Sequence, residues 1–333
     1  MTSDRLQRFR DRLVLPLIAA PMFLVSGVEL MVAACGNGVI GSFPSANCRS
    51  TEQFDEWLTA IDARLRQHED QAGRKAAPLC PNLIVHRSNA RLEQDLAALL
   101  RHRPEIVITS VGSPAPVLQP LHDAGALVLA DVASIRHAER AAEAGADGLV
   151  LLTAGAGGQT GWANPFAFVR AVRKFWDGIV VMAGGMADGQ AIAAAELLGC
   201  DLAYMGTKFI ATRESLAKDA YKDMLVKSRL DDVLLTRAFT GLETNMLRPS
   251  IAAAGLDPED LPARGAIDIA KDINAAERDK PDARRWKDIW SAGHSVSGVA
   301  DVPSVAELVK RTAAEYLAAR AVSGPLARKR ADR

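Results

Sequence analysis

The sequence predicts an α/β fold, a (β/α)8 TIM barrel with a C-terminal extension. Three observations predict it. Eight apolar runs of strand length lie between residues 15 and 209. Most are continuous rather than alternating, as strands buried on both faces of a parallel sheet read. Helix-forming stretches separate them, and no G-x-G-x-x-G fingerprint follows the first run, which argues against an open dinucleotide-binding sheet.

The runs are LPLIAAPM (15–22), GVIGSF (38–43), PLCPNLIV (78–85), IVITSV (106–111), ALVLADV (126–132), GLVLLTA (148–154), GIVVMAG (178–184) and LAYMGTKF (202–209). Behind the first, Val28, Met31, Val32 and Cys35 make one helical face that ends in glycine. Thr51 is placed to cap the next helix, and Ser88 or Asn89 the one after it. Ser134 opens and Gly145 closes an alanine-rich helix. Pro165 suits a first helical turn, and Gly199 stops the helix that begins near Asp188. The barrel is expected over 1–229. From residue 230 proline, glycine and charge dominate without a clear strand. Residues 230–333 are expected to form an extension that returns over the barrel mouth, followed by a terminal helix, capped by Ser304, that closes on the barrel, the whole forming one domain.

Composition narrows the function. The 333 residues carry 40 basic and 40 acidic side chains, so no net charge marks a nucleic-acid or anionic-membrane partner. The basic end LARKRADR reads as a solvated terminus. Cys35, Cys48, Cys80 and Cys200 form no C-x-x-C pair, which favours buried thiols in a reducing compartment and no metal site. The charged start MTSDRLQRFRDRL lacks a secretory apolar region, and no run reaches membrane-spanning length. A soluble, cytoplasmic protein is expected.

Barrel active sites gather at the C-terminal ends of strands. Glycines concentrate after runs six to eight, in AGAGGQTG, AGGMADG and MGTKF. Gly184 and Gly185 let backbone N–H groups approach an anion, and Gly206 and Thr207 add an N–H and a hydroxyl. The loops after strands seven and eight commonly hold phosphate.

The motifs APM (20–22), PNL (81–83), GAGGQTG (155–161), AGGMADGQ (183–190) and YMGTKFIATRES (204–215), with a weaker match in WSAGHSVSGVADVPSVAEL (290–308), resemble the FMN-dependent nitronate monooxygenase family of TIM barrels. That group also includes flavin-dependent enoyl-thioester reductases and a quinone reductase. The resemblance implies that Ala20, Pro21 and Met22 pack on the flavin ring and that Asn82 meets the ring edge. It implies that Ala183, Gly184, Gly185, Met205, Gly206 and Thr207 hold the FMN phosphate, and that Gly157 and Gly158 line the flavin and substrate pocket.

Two positions depart from the family. Gln159 stands where the family has a histidine able to act as a base, and an amide does not titrate near neutrality. A nitronate, already an anion, needs no such base. Asp131 stands where some relatives place a lysine near the flavin. It is expected either to orient a side chain or bind substrate, or to be a solvated or capping residue. His294 and His86 are the titrating groups to test if one is required, set against incidental loop positions. Trp162 either walls the substrate pocket or packs on the rim. Lys208, beside Thr207, is expected to point away from the phosphate.

The leading expectation is an FMN-dependent, nitronate monooxygenase-like oxidoreductase acting on a small nitronate-type substrate with O2 as acceptor. Its partners would be small molecules, with a homodimer as the assembly considered. The alternatives are an NAD(P)H-dependent flavin reductase acting on a quinone or enoyl-thioester, and a non-redox phosphate-binding barrel.

Overall fold

The computed structural model describes residues 2–261 and 288–321. One sheet holds eight parallel strands: β1 (Leu17–Ala19), β2 (Ile40–Gly41), β3 (Asn82–Ile84), β4 (Ile106–Ser110), β5 (Leu127–Val132) and β6 (Gly148–Leu152), then β8 (Ile179–Ala183) and β9 (Leu202–Met205). The two-residue β7 (Gly158–Gln159) belongs elsewhere. Spatial order is β2-β1-β9-β8-β6-β5-β4-β3, and parallel bridges Gly41↔Leu79 and Pro44↔Asn82 join the two ends into a barrel. Each predicted apolar run contains one of these strands.

Strand alternation sorts the side chains into two cores, which explains why the runs are continuous. Ile18, Ile108, Leu129, Val150, Val181 and Leu202 fill the interior, while Leu17, Val107, Val128, Leu149, Val180 and Ala203 face the helices. Helix α1 (Thr2–Arg10) adds Leu6 and the fully buried Phe9 to the interior set.

Outside run α2 (Val28–Gly36), α3 (Thr51–Ala72), α4 (Leu92–His102), α5 (Ala115–Asp123), α6 (Ile135–Ala144), α7 (Pro165–Val172) and α8 (Gly189–Leu198). Ser134 Oγ accepts from the His137 N–H at 3.2 Å, and Gly145 and Gly199 end α6 and α8 in the left-handed region. Two expected caps shift. Ser50, not Thr51, caps α3, its Oγ accepting from the Gln53 N–H at 3.3 Å. Asn89 turns the loop before α4 instead, its Oδ1 accepting from the Arg91 N–H at 3.1 Å.

The end of the barrel differs from expectation. The eighth run leaves the sheet at Met205, and Thr207–Ile210 form the short helix α9, so strand alternation does not govern Lys208. After α10 (Asp219–Lys227) come two short antiparallel strands, β10 (Val233–Thr236) and β11 (Thr244–Leu247), and α11 (Arg248–Ala253). β11 pairs in turn with β7. Four-residue strands are too short to leave a readable alternation.

The terminal helix α12 (Val305–Ala321) opens with a capping box, Glu307 N–H to Ser304 Oγ and Ser304 N–H to Glu307 Oε2. It packs on α8 and α2 in the outer ring. There the Gly189 N–H donates to Glu315 Oε2 at 3.0 Å and the Tyr316 hydroxyl to Glu196 Oε2 at 2.7 Å. A Cβ on Gly189 would lie 2.1 Å from the Tyr316 nitrogen. Gly189→Ala is therefore expected to destabilise the fold by about 3 kcal/mol through overpacking. An unchanged urea midpoint would contradict this backbone contact.

Candidate active site

A pocket opens at the C-terminal ends of the strands, between the barrel and residues 240–242 and 289–295. Its first wall is the loop after β1. The Ala20 N–H donates to the Met205 carbonyl at 3.0 Å, and Pro21, Met22 and Phe23 follow along the wall. Asn47 holds this loop: its Oδ1 accepts from the Leu24 N–H, and its Nδ2 donates to the Met22 and Ser26 carbonyls. Ser26 Oγ accepts from the Met22 N–H at 3.0 Å. Across the mouth stand Asn82, whose Oδ1 accepts from the Ser110 hydroxyl at 3.3 Å, and Val111 at φ 58°. A β-branched residue in that region stores about 1–3 kcal/mol of strain.

The glycine-rich loop after β6 is tied into the second sheet. Gln159 pairs with Thr244 and Gly158 with Asn245, whose Nδ2 donates to the Ala156 carbonyl at 2.7 Å. Gly157 packs backbone to backbone on Gly293: an added Cβ would lie 2.7 Å from the Gly293 nitrogen. The glycines there let two chain segments touch while Gly157, Gly158 and Gln159 line the pocket.

Ala183, Gly184, Gly185, Gly206 and Thr207 sit together on one side of the pocket. Gly185, at φ 73°, has nothing within 4 Å of an added Cβ, whereas one on Gly184 would strike Thr153 Oγ1 at 2.5 Å. Thr207 Oγ1 accepts from the Gly293 N–H at 2.9 Å, which leaves its own proton to donate.

Polar groups on the barrel's inner face form the floor. Asp131 continues the inward series of Leu127 and Leu129, and Tyr204 that of Leu202; both line the pocket. Asp131 Oδ1, the Tyr204 hydroxyl and Ser42 Oγ are sealed from solvent with no hydrogen-bond partner. Burial lifts the Asp131 carboxyl from 3.8 to about 7. Burial first, then the Asp131 and Cys80 charges, pushes the Tyr204 phenol well above its ordinary range. The fold thus keeps a proton on Asp131 that the unfolded chain has lost, and stability should fall as pH rises from about 4 to about 7. Asp131→Asn is expected to flatten that slope in urea midpoints measured across the window; an undiminished slope would place its cause elsewhere.

The sequence profile of the nitronate monooxygenase family, NMO, matches residues 11–315. The chain belongs to that family. It is an oxidoreductase. A nitronate monooxygenase of Paraburkholderia phytofirmans is 28% identical over 309 residues, covering 80% of this chain and 83% of that one. A 5-hydroxy-7a-methyl-1-oxo-octahydro-1H-indene-4-carboxyl-CoA dehydrogenase of Mycobacterium tuberculosis is 26% identical, covering 71% and 64%. Among solved structures, nitroalkane oxidase from Streptomyces ansochromogenes superposes with TM-score 0.74 at 25% identity over 93% of this chain and 98% of that one. FabK from Thermotoga maritima, as its M276A mutant, shares the fold at TM-score 0.76 and 22% identity, covering 95% and 97%.

In this nitronate monooxygenase family member the pocket gathers most of the expected residues: Ala20, Pro21, Met22, Asn82, Asp131, Gly157, Gly158, Gln159, Ala183, Gly184, Gly185, Gly206 and Thr207. Four expected residues lie outside its walls. Met205 turns to the outer core and offers only its carbonyl, to Ala20. Trp162 is 75% exposed. His86 shares a 2.7 Å hydrogen bond with Ser88. His294 is exposed on a 3-10 turn, its N–H bonded to the Gly155 carbonyl, and the buried Ser295 lines the pocket in its place. Asp131 caps no helix; it lines the pocket half-buried, with Oδ1 sealed. The amine of Lys208 donates to the Gly298 carbonyl, away from the pocket.

Sequence reasoning missed the wall that tertiary packing brings in. Tyr221 and Trp290 stack with ring centroids 4.9 Å apart, and the Tyr221 hydroxyl donates to the Ser291 carbonyl at 2.5 Å. Both line the pocket beside Ile289. Lone aromatics in an aperiodic stretch give no local signal. No helix among the described residues is long and apolar enough to cross a membrane, and none of their side chains cluster as metal ligands.

Proposed function

We propose that this chain binds FMN non-covalently in the barrel mouth and oxidises a small nitronate-type substrate with dioxygen as acceptor. The observation that carries the reading is the glycine cradle at Gly184, Gly185 and Gly206, backed by the free Thr207 hydroxyl proton. Among the described residues no lysine, arginine or histidine lines the pocket. A phosphate there would be held by backbone N–H groups and Thr207 rather than by a side-chain cation. The floor fits a polar ring in that Asn82, Ser110, Asp131 and Tyr204 line it.

Bound FMN would supply the electron transfer between substrate and acceptor. Ala20, Pro21 and Met22 would form the surface for its ring, and Asn82 would meet the ring edge. Gln159 would donate its amide N–H to a nitro oxygen. The Tyr221–Trp290 stack walls the pocket on the side of the returning chain and limits water there. Among the described residues the walls hold neither the lysine nor the glutamate that a non-redox barrel enzyme would need.

Purified protein titrated with FMN is expected to quench its fluorescence at one equivalent, and then to consume oxygen when a small alkyl nitronate is added. A colourless protein that takes up no FMN would overturn the cofactor. NAD(P)H consumption on a quinone or enoyl-thioester, without oxygen uptake on nitronates, would overturn the reaction.

A further inference from the structure

We infer that Asn47 is a positioning residue for the first wall of the pocket: it holds Leu24 in a strained turn, and the turn presents Met22, Phe23 and Val25 to the cofactor. The inference rests on the flavin reading for what lies against that wall.

Asn47 ends a 3-10 turn, Ser45–Asn47, that follows β2, and it is not itself a wall residue. Its side chain serves one loop. Oδ1 accepts from the Leu24 N–H at 2.9 Å, and Nδ2 donates to the Met22 carbonyl at 3.0 Å and the Ser26 carbonyl at 2.8 Å. Both amide protons are therefore used, at a residue only 9% exposed. The Met22 carbonyl also accepts from the Val25 and Ser26 N–H groups, at 3.2 and 3.0 Å. The Leu24 N–H has Asn47 as its partner.

The turn needs that hold. Leu24 sits at φ 59°, in the left-handed region that strains an L side chain. Glycine would enter that region freely, yet the chain places leucine there. Strain of this kind persists where surrounding contacts over-determine it, and it gathers at ligand clamps. Here the residues around the strained one, Met22, Phe23 and Val25, all line the pocket.

The holder is itself anchored. Arg91 Nη1 donates to the Cys48 carbonyl at 2.7 Å and Nη2 to the Ser45 carbonyl at 3.3 Å, on either side of Asn47. Arg91 pairs at 2.9 Å with Asp95, a carboxylate only 1% exposed, and Asp95 Oδ1 also accepts from the Thr51 hydroxyl at 2.7 Å. Removing one partner of a pair this buried is strongly unfavourable, so the pair fixes the turn firmly. The path of support thus runs from α3 and α4, through residues 45–48, to the wall.

The test compares two variants that both weaken the fold. Asn47→Ala removes the hold on Leu24, whereas Ser50→Ala removes only the cap of α3. Each is titrated with FMN by fluorescence, on protein shown to be folded by circular dichroism. Asn47→Ala is expected to raise the dissociation constant about 10-fold and to shift the visible bands of the bound flavin. Ser50→Ala should match wild type in both. Adding Leu24→Gly to Asn47→Ala should bring the constant back to within about 3-fold of wild type, because glycine takes the left-handed turn unaided.

Wild-type affinity and bands in Asn47→Ala would overturn the inference. So would an equal loss in Ser50→Ala, since general destabilisation would then suffice. A double variant no better than Asn47→Ala would overturn it too. If Asn47→Ala does not fold, Asn47→Ser takes its place under the same criteria. Failure of the flavin reading is distinct, because wild-type protein then takes up no FMN at all.

Discussion

Gly185→Val is expected to fold and yet to lose FMN. The added Cβ meets no protein atom within 4 Å. The cost to stability is the left-handed φ of 73°, about 1–2 kcal/mol for an L side chain. The isopropyl group would fill the space assigned to the phosphate and cover the backbone N–H groups that hold it. An affinity loss of at least 100-fold is expected, about 2.7 kcal/mol. Gly184→Ala behaves differently, because its Cβ would meet Thr153 Oγ1 at 2.5 Å, Ala154 O at 3.1 Å and Ala156 N at 3.1 Å. That variant should lose stability first and cofactor as a consequence. Thermal unfolding beside fluorescence titration separates the two. Stoichiometric FMN in Gly185→Val would show that the phosphate lies elsewhere.

Gln159→His is expected to raise kcat/KM on neutral nitroalkanes by about 10- to 100-fold, within the range a positioned base supplies. The ladder to Thr244 fixes the backbone of residue 159, so an imidazole would enter the pocket from the same place. An ordinary histidine is deprotonated above about pH 6.5, so the gain should grow as pH rises through that value. Activity on nitronates, which need no base, should change little. No change in kcat/KM would place residue 159 off the reaction path.

The barrel was legible because burial on both faces writes itself into composition. The run 127–132 reads as continuous apolar residues because Leu127 and Leu129 face the interior while Val128 and Ala130 face helices. Gly145 and Gly199 were legible as helix ends because few other residues adopt φ near 100°. The glycine cradle was legible for the same local reason. The rest depends on contacts between distant segments. Nothing near residue 305 says that its helix lies on α8 and α2, or that Tyr221 and Trp290 meet over the pocket. His294 and Ser295 differ by one position in an aperiodic turn, and only the turn decides which one enters. Asp131 was visible as a strand-end carboxylate, but its unpartnered oxygen is a property of the packed floor.

We propose that this pocket carries out flavin redox chemistry on a nitro compound. Anaerobic mixing of the FMN-loaded protein with a small alkyl nitronate decides it. Bleaching of the flavin absorbance, fully reversed on admitting oxygen, is the predicted result. An absorbance that stays unbleached by nitronates and by neutral nitroalkanes alike, in protein holding one equivalent of FMN, would contradict it.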